Sequence, residues 1–165
     1  MICENVIGNL SFEEVAARFA GYEVDPVDFD WHEAFGKLHR KESRGGRTIG
    51  VRLGDWVLSH GLREGDVLGV DEKGAAILVV HILPCRAVVA DVAPDHPSSL
   101  ARVAYEVGNT HAALFFGESD FQLVTPYSEP LLTALGAIHG VTAHAEDVTF
   151  DLGRSLSTTA HHHHH

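Results

Sequence analysis

Residues 97–116 read PSSLARVAYEVGNTHAALFF. Leu100, Val103, Ala104 and Val107 recur at the three- and four-residue spacing of a helix with one apolar face. Pro97 suits the first turn, where a missing N–H is no loss. Gly108 and Asn109 tolerate the left-handed backbone that ends a helix. The apolar run Ala112–Phe116 then reads as a strand. The stretch predicts helix, stop and strand in that order, with His111 at the joint.

Working outward, Arg86–Val92 is β-branched and apolar and predicts a strand before the helix, which Asp95-His96-Pro97-Ser98 opens. Gly117-Glu118-Ser119-Asp120 is a turn and Phe121–Val124 a further strand. Ser128-Glu129-Pro130 opens a second helix with Leu131, Leu132, Leu135 and Ile138 on its inner side and Gly140 as its stop. Val141–Phe150 predicts the last strand. The order β-α-β-β-α-β is that of a ferredoxin-like domain, two helices on one face of an antiparallel sheet. It is expected over residues 86–152, followed by a flexible histidine-containing tail at 153–165.

Residues 1–85 predict a small all-β domain, so the chain as a whole is expected to be α+β. Ile2–Ile7 reads as a strand. Ser11 and Glu14 have capping-box spacing, and Phe12, Val15, Ala16 and Phe19 recur at helical spacing up to Gly21. The acidic, proline-bearing YEVDPVDFDWHEAF (22–35) reads as a loop. Gly45-Gly46 and Lys73-Gly74 each sit between strand-like runs and predict hairpins, and REGDVL (63–68) places a tight polar turn before a buried strand.

The chain has 165 residues, 45% hydrophobic residues and a formal net charge of -11. That charge argues against a nucleic-acid binder, which needs a basic face, and suits a cationic partner, metal ions included. The opening MICENVIGNL lacks the basic segment of a secretory signal. The longest apolar run, Ala75–Leu83, is interrupted by His81 and too short to span a bilayer. No membrane association and a cytoplasmic location are therefore expected. Cys3 and Cys85 make neither a disulfide framework nor a thiolate metal motif, and read as buried thiols.

No nucleophile elbow, HExxH motif, phosphate loop or spaced carboxylate pair is present in the sequence. The 13 histidines are the unusual feature. His32, His39, His60, His81, His96 and His139 read as isolated surface or packing residues. His144 lies on the last predicted strand, where it could approach a metal. His111 combines a fixed position at a helix end with an exposed nitrogen, as a ligand for Ni, Cu or Zn requires. One imidazole cannot hold a divalent ion tightly, but a symmetric dimer would bring a second copy of it across the two-fold axis. The run His161, His162, His163, His164 and His165 is either a purification tail or a natural metal-binding tract.

The words around His111 resemble those of the UreE urease accessory proteins, nickel metallochaperones. Ala104, Tyr105, Gly108, Asn109 and His111 match the family's A-Y-x-x-G-N-x-H, and Gly65-Asp66-Val67-Leu68 its G-D-V-L turn. Leu131–Leu135 and Phe150 fall where the family has a leucine-rich second helix and a late phenylalanine. The resemblance covers roughly residues 28–152 and departs at Thr110, where the family has Arg or Gln, at Glu106, often His, and in the FDLGRSLS tail. It implies a homodimer joined through the C-terminal domain and a nickel site shared by His111 of two subunits. It also implies delivery of nickel to apo-urease through a complex with the urease accessory GTPase. Zn or Cu could occupy the same imidazoles. The contrasting expectations are a non-enzymatic interaction module that uses the loop at 22–35 or the β-domain, and, with little in its favour, a metal-dependent enzyme.

Overall fold

The computed structural model describes residues 1–156. It contains two compact units, Met1–Leu83 and a second that begins at Pro84.

In chain order the first unit comprises β1 (Ile2–Cys3), β2 (Gly8–Asn9), α1 (Glu13–Arg18), β3 (Glu23–Phe29), a 3-10 turn (Glu33–Phe35), β4 (Leu38–Glu42), β5 (Thr48–Arg52), α2 (Val57–His60), β6 (Asp66–Asp71) and β7 (Ala76–Ile82). The strands form two sheets, β1-β5-β4 and β2-β6-β7-β3. Both expected hairpins are present, β4–β5 and β6–β7. Gly46 supplies the left-handed turn of the first with φ +81°. Gly65, at φ +83°, makes the tight turn before β6.

Three expectations fail here. The segment 22–35 is not a loop: Glu23–Phe29 is β3, paired in parallel with β7. Its acidic character concealed an alternation in which Asp25, Val27 and Phe29 point inward while Val24, Pro26 and Asp28 do not. Pro26 is tolerated because β3 is an edge strand. The predicted strand Ile2–Ile7 shrinks to β1 at Ile2–Cys3, parallel to β5, and a second short strand, β2, follows just beyond it in another sheet, antiparallel to β6. The Ser11–Glu14 capping box does not form. Asn9 Oδ1 accepts the Ser11 N–H at 2.8 Å, and Phe12 becomes the N-cap with no side-chain bond. Asn9 is committed to the G-D turn as well, since its Nδ2 donates to Asp66 Oδ1 at 2.9 Å. With only six residues, α1 turns Val15, and its C-cap residue Phe19, onto the cluster around Val67, Ile77 and Val79, and Phe12 is left outside. The short helix α2 had no signal in the sequence.

The second unit comprises β8 (Cys85–Val92), α3 (Ser98–Asn109), β9 (Phe115–Phe116), β10 (Gln122–Pro126), α4 (Glu129–Gly136), β11 (Val141–Val148) and a 3-10 turn (Leu152–Arg154). The order of types is the one expected. The sheet runs β11-β8-β10-β9 with every neighbouring pair antiparallel, the ferredoxin-like arrangement. Ser128 caps α4 by accepting the Leu131 N–H, with Pro130 in the first turn. Both helices pack on one sheet face through Val88, Ala90, Val92, Val103, Val107, Leu123, Leu131 and Leu135. On the other face Phe115 stacks on Phe150 with ring centres 4.6 Å apart. The predicted strand Ala112–Phe116 shrinks to two residues, because Ala113 and Leu114 give their carbonyls to Thr125 Oγ1 and Leu156 N–H.

Among the described residues no helix is long and apolar enough to cross a membrane. Cys3 is buried, Cys85 is half-buried and both are free thiols. Burial pushes the Cys3 thiol up, against a smaller opposing pull from the N-terminal ammonium.

Candidate metal-binding corner

The corner that carries His111 is built by the end of α3. Ser99, Val103 and Val107 are the buried stripe of that helix. Its last turn closes on Val107 O, which accepts the Thr110 N–H at 3.1 Å and the Thr110 hydroxyl at 2.7 Å. His111 N–H then donates to Gly108 O at 3.0 Å. Gly108 and Asn109 were expected to supply the left-handed stop; both remain in the helix, and His111 itself takes that conformation with φ +57°. The reason is local. The Thr110 hydroxyl bonds back to Val107 and prolongs the helical turn by one residue, so the reversal falls on the next. A side chain other than glycine in this region costs about 1–2 kcal/mol, which the surroundings must support. They do so just downstream. Thr125, almost fully buried, donates to Ala113 O at 2.8 Å, and Leu156 N–H donates to Leu114 O at 2.8 Å.

His111 is exposed, and on α3 beside it Ala101, Tyr105 and Gly108 form an outward stripe. Tyr105 is 66% exposed on that stripe, a large aromatic with little covering it in a single chain. Among the described residues no three His, Cys, Asp or Glu side chains converge as a metal site. A single copy of the corner therefore brings one imidazole and no closed ligand set.

His144 does not join His111. It lies on β11, one edge of the sheet, whereas the chain from His111 leads into β9, the other edge. Its Nε2 is 2.9 Å from Glu146 Oε2 and its Nδ1 3.8 Å from Asp91 Oδ2. Asp91 in turn accepts from Gln122 Nε2 at 2.9 Å. Both ring nitrogens of His144 thus face carboxylates in a polar row across three strands.

The remaining histidines are less isolated than their spacing suggested. His39 packs edge-on against Phe29 with its Nε2 2.9 Å from Gly36 O, and His81 Nδ1 lies 3.1 Å from Glu64 Oε1. His32 and His60 sit beside Trp31 and Trp56. His96 and His139 are in contact with each other, ring centres 4.6 Å apart, although 43 positions separate them in the chain. No spacing rule joins two such residues; the only hint was that each adjoins a helix boundary. His161, His162, His163, His164 and His165 lie outside the described residues.

A cavity of about 350 Å³ opens beside β10, lined by Phe116, Gln122, Val124, Glu146, Val148 and Phe150 among others, and none of the described histidines borders it.

Comparison with known proteins shows the family. The family profile described as the C-terminal domain of the UreE urease accessory protein matches residues 87–165. A urease accessory protein UreE from Helicobacter pylori is 35% identical over 162 residues, covering 98% of this chain and 89% of the relative. A second H. pylori UreE is 37% identical over 135 residues, 82% of this chain and 74% of the relative. The UreE of Acetivibrio thermocellus is 35% identical over 167 residues and covers all of both chains. The names are those of an accessory protein, not of an enzyme. With the ferredoxin-like second unit and the G-N-x-H corner in place, this chain belongs to the UreE family of urease accessory proteins, chaperones of urease maturation.

Proposed function

We propose that the chain carries nickel for urease assembly as a homodimer in the cytoplasm. Two copies of the second unit meet through the outer stripe of α3, Ala101, Tyr105 and Gly108, and His111 of each contributes an imidazole to one shared nickel ion. The observation that carries this reading is the corner itself. It holds His111 exposed, at φ +57°, at the end of an uncovered helix face. A twofold contact along that face brings the two histidines together by symmetry.

Further ligands come from His161 to His165. The chain leaves the described region at Leu156, whose N–H is bonded to Leu114 O, three residues from His111. His161 follows five residues later, and five extended residues reach about 17 Å. The tail histidines are thus within chain reach of the corner. Nickel is cargo here, and imidazole suits Ni, Zn and Cu alike, so the chain's preference for nickel follows from coordination geometry and supply. Transfer to apo-urease through the urease accessory GTPase completes the reading, supported by the family's name and by the chain's net charge of -11, which favours a cationic cargo.

The test is a calorimetric nickel titration of the full chain beside His111→Gly. The intact chain should show a tight event near one nickel per two chains, and the variant should lose it. Glycine takes a φ of +57° without strain, so His111→Gly should be as stable as the parent or about 1 kcal/mol more so. Retention of the tight event in a folded His111→Gly protein would overturn the assignment.

A further inference from the structure

We infer that His96 and His139 form a second, labile binding site for a divalent transition metal, separate from the His111 corner. Its geometry stands whether or not His111 binds nickel.

The two imidazoles are brought together and held by the backbone. His96 precedes α3 and His139 follows α4. Their loops are joined by two bonds, Ser99 Oγ to His139 O at 2.7 Å and Ala93 N–H to Gly140 O at 2.8 Å. The His96 N–H itself donates to Ala93 O at 2.9 Å. Ser99 is buried, so its bond is shielded from competition with water. Gly140, at φ +80°, lets the His96 ring lie against the chain beside His139; a Cβ there would come within 2.7 Å of His96 Cβ and Cδ2. The site is thus built by the fold and does not arise from two mobile surface side chains.

The separation fits cis ligation. With metal–nitrogen bonds of about 2.0–2.1 Å the ring centre lies roughly 3.2 Å from the metal, so two imidazoles at right angles have centres about 4.5 Å apart. The observed separation is 4.6 Å, with the ring planes crossed at 64°. His139 is exposed and His96 half-exposed, so small turns of the side chains bring a nitrogen of each to one ion. Asp95 Oδ2 lies 3.8 Å from His96 Nε2, close enough to attract a cation at that nitrogen.

The first turn of α3 opposes a cation through its unpaired amides. Two of them are already occupied, Ser99 N–H by His96 O and Leu100 N–H by Pro97 O, and Asp95 offsets the remainder. Two imidazoles with water in the other positions suit Ni(II), Cu(II) or Zn(II) and leave the ion exchangeable. Such a site would take up metal and give it up readily.

Copper(II) chloride serves as the probe, added below one equivalent to 15N-labelled full chain carrying His111→Gly. Paramagnetic broadening should be selective for the amides of Asp95, His96, Ser98 and Ser99 and of residues 138–141, beside whatever the tail histidines produce. His139→Ala, which keeps the main-chain carbonyl that Ser99 bonds, should need at least tenfold more copper for the same broadening. An unshifted Ser99 amide resonance would certify its fold. Broadening confined to other residues, or unchanged by His139→Ala, would overturn the inference.

Discussion

The two units hold their sheets together by different means. In the second, two helices cover one sheet face, and the core is aliphatic from Val88 to Leu135 with no charged member. In the first, the helices have six and four residues, too short to cover a sheet in the same way. There a charged pin ties edge strand β3 to the β4–β5 hairpin. Asp25, 3% exposed, accepts the Ser43 hydroxyl at 2.6 Å, the Gly45 N–H at 2.7 Å and the Arg47 guanidinium at 2.7 Å. Arg47 continues to Asp71 at 3.0 Å. An aliphatic core is indifferent to pH and sensitive to lost volume. A buried carboxylate is sensitive to protonation, and it fixes one geometry because three donors from the hairpin converge on it.

The largest expected effect is on the aliphatic side. Leu135→Ala removes a fully buried side chain under α4 and should cost about 2–5 kcal/mol. Hydrogen exchange should show the loss in the β8 and β10 amides, with β3 and β7 little changed. An equal loss in both units would mean that they unfold as one.

Next is Asp25→Asn, which should cost about 2–3 kcal/mol at neutral pH by weakening charge-assisted bonds. The loss should appear in β3 and β7. Its pH dependence sharpens the contrast. Burial alone would push the Asp25 carboxyl up, but Ser43, Gly45 and Arg47 together hold it below the ordinary 3.8. A carboxyl lowered in the folded state stabilises fully above its ordinary value, and the contribution disappears as pH falls through the folded one. The gap between parent and Asp25→Asn should therefore close in acid below about pH 4, whereas the gap for Leu135→Ala should not. Asp71 is lowered in the same sense, by the Gly74 N–H first and then by Arg47.

The smallest expected effect is that of Ser11→Ala. Capping-box spacing alone would assign it about 1 kcal/mol. Since α1 starts at Phe12 with no side-chain cap, urea unfolding should register less than about 0.5 kcal/mol.

These cases show which residues could be read in advance. The second unit was legible because its helices are long enough to display a stripe: Val103 and Val107, then Leu131 and Leu135, each repeat at four. In the first unit β3 was obscured because its inward set includes Asp25, which an apolar count scores as solvent-facing. His111 stood out in the sequence through the Gly-Asn beside it, yet the left-handed residue was misplaced by two to three positions. The Thr110 hydroxyl decides that detail, and a threonine gives no hint of where its proton goes.

The sequence by itself determined the order of elements in the second unit, both hairpins of the first and the position of His111 at a helix end. Periodicity, turn residues and caps act over a few neighbouring positions, so they are written locally. Tertiary structure alone decided that Asp25 is a buried pin, that His144 faces Asp91, and that His96 meets His139. Each of these joins residues on separate strands or loops. Their proximity follows from strand pairing and from bonds such as Ser99 to His139 O, which no local pattern records.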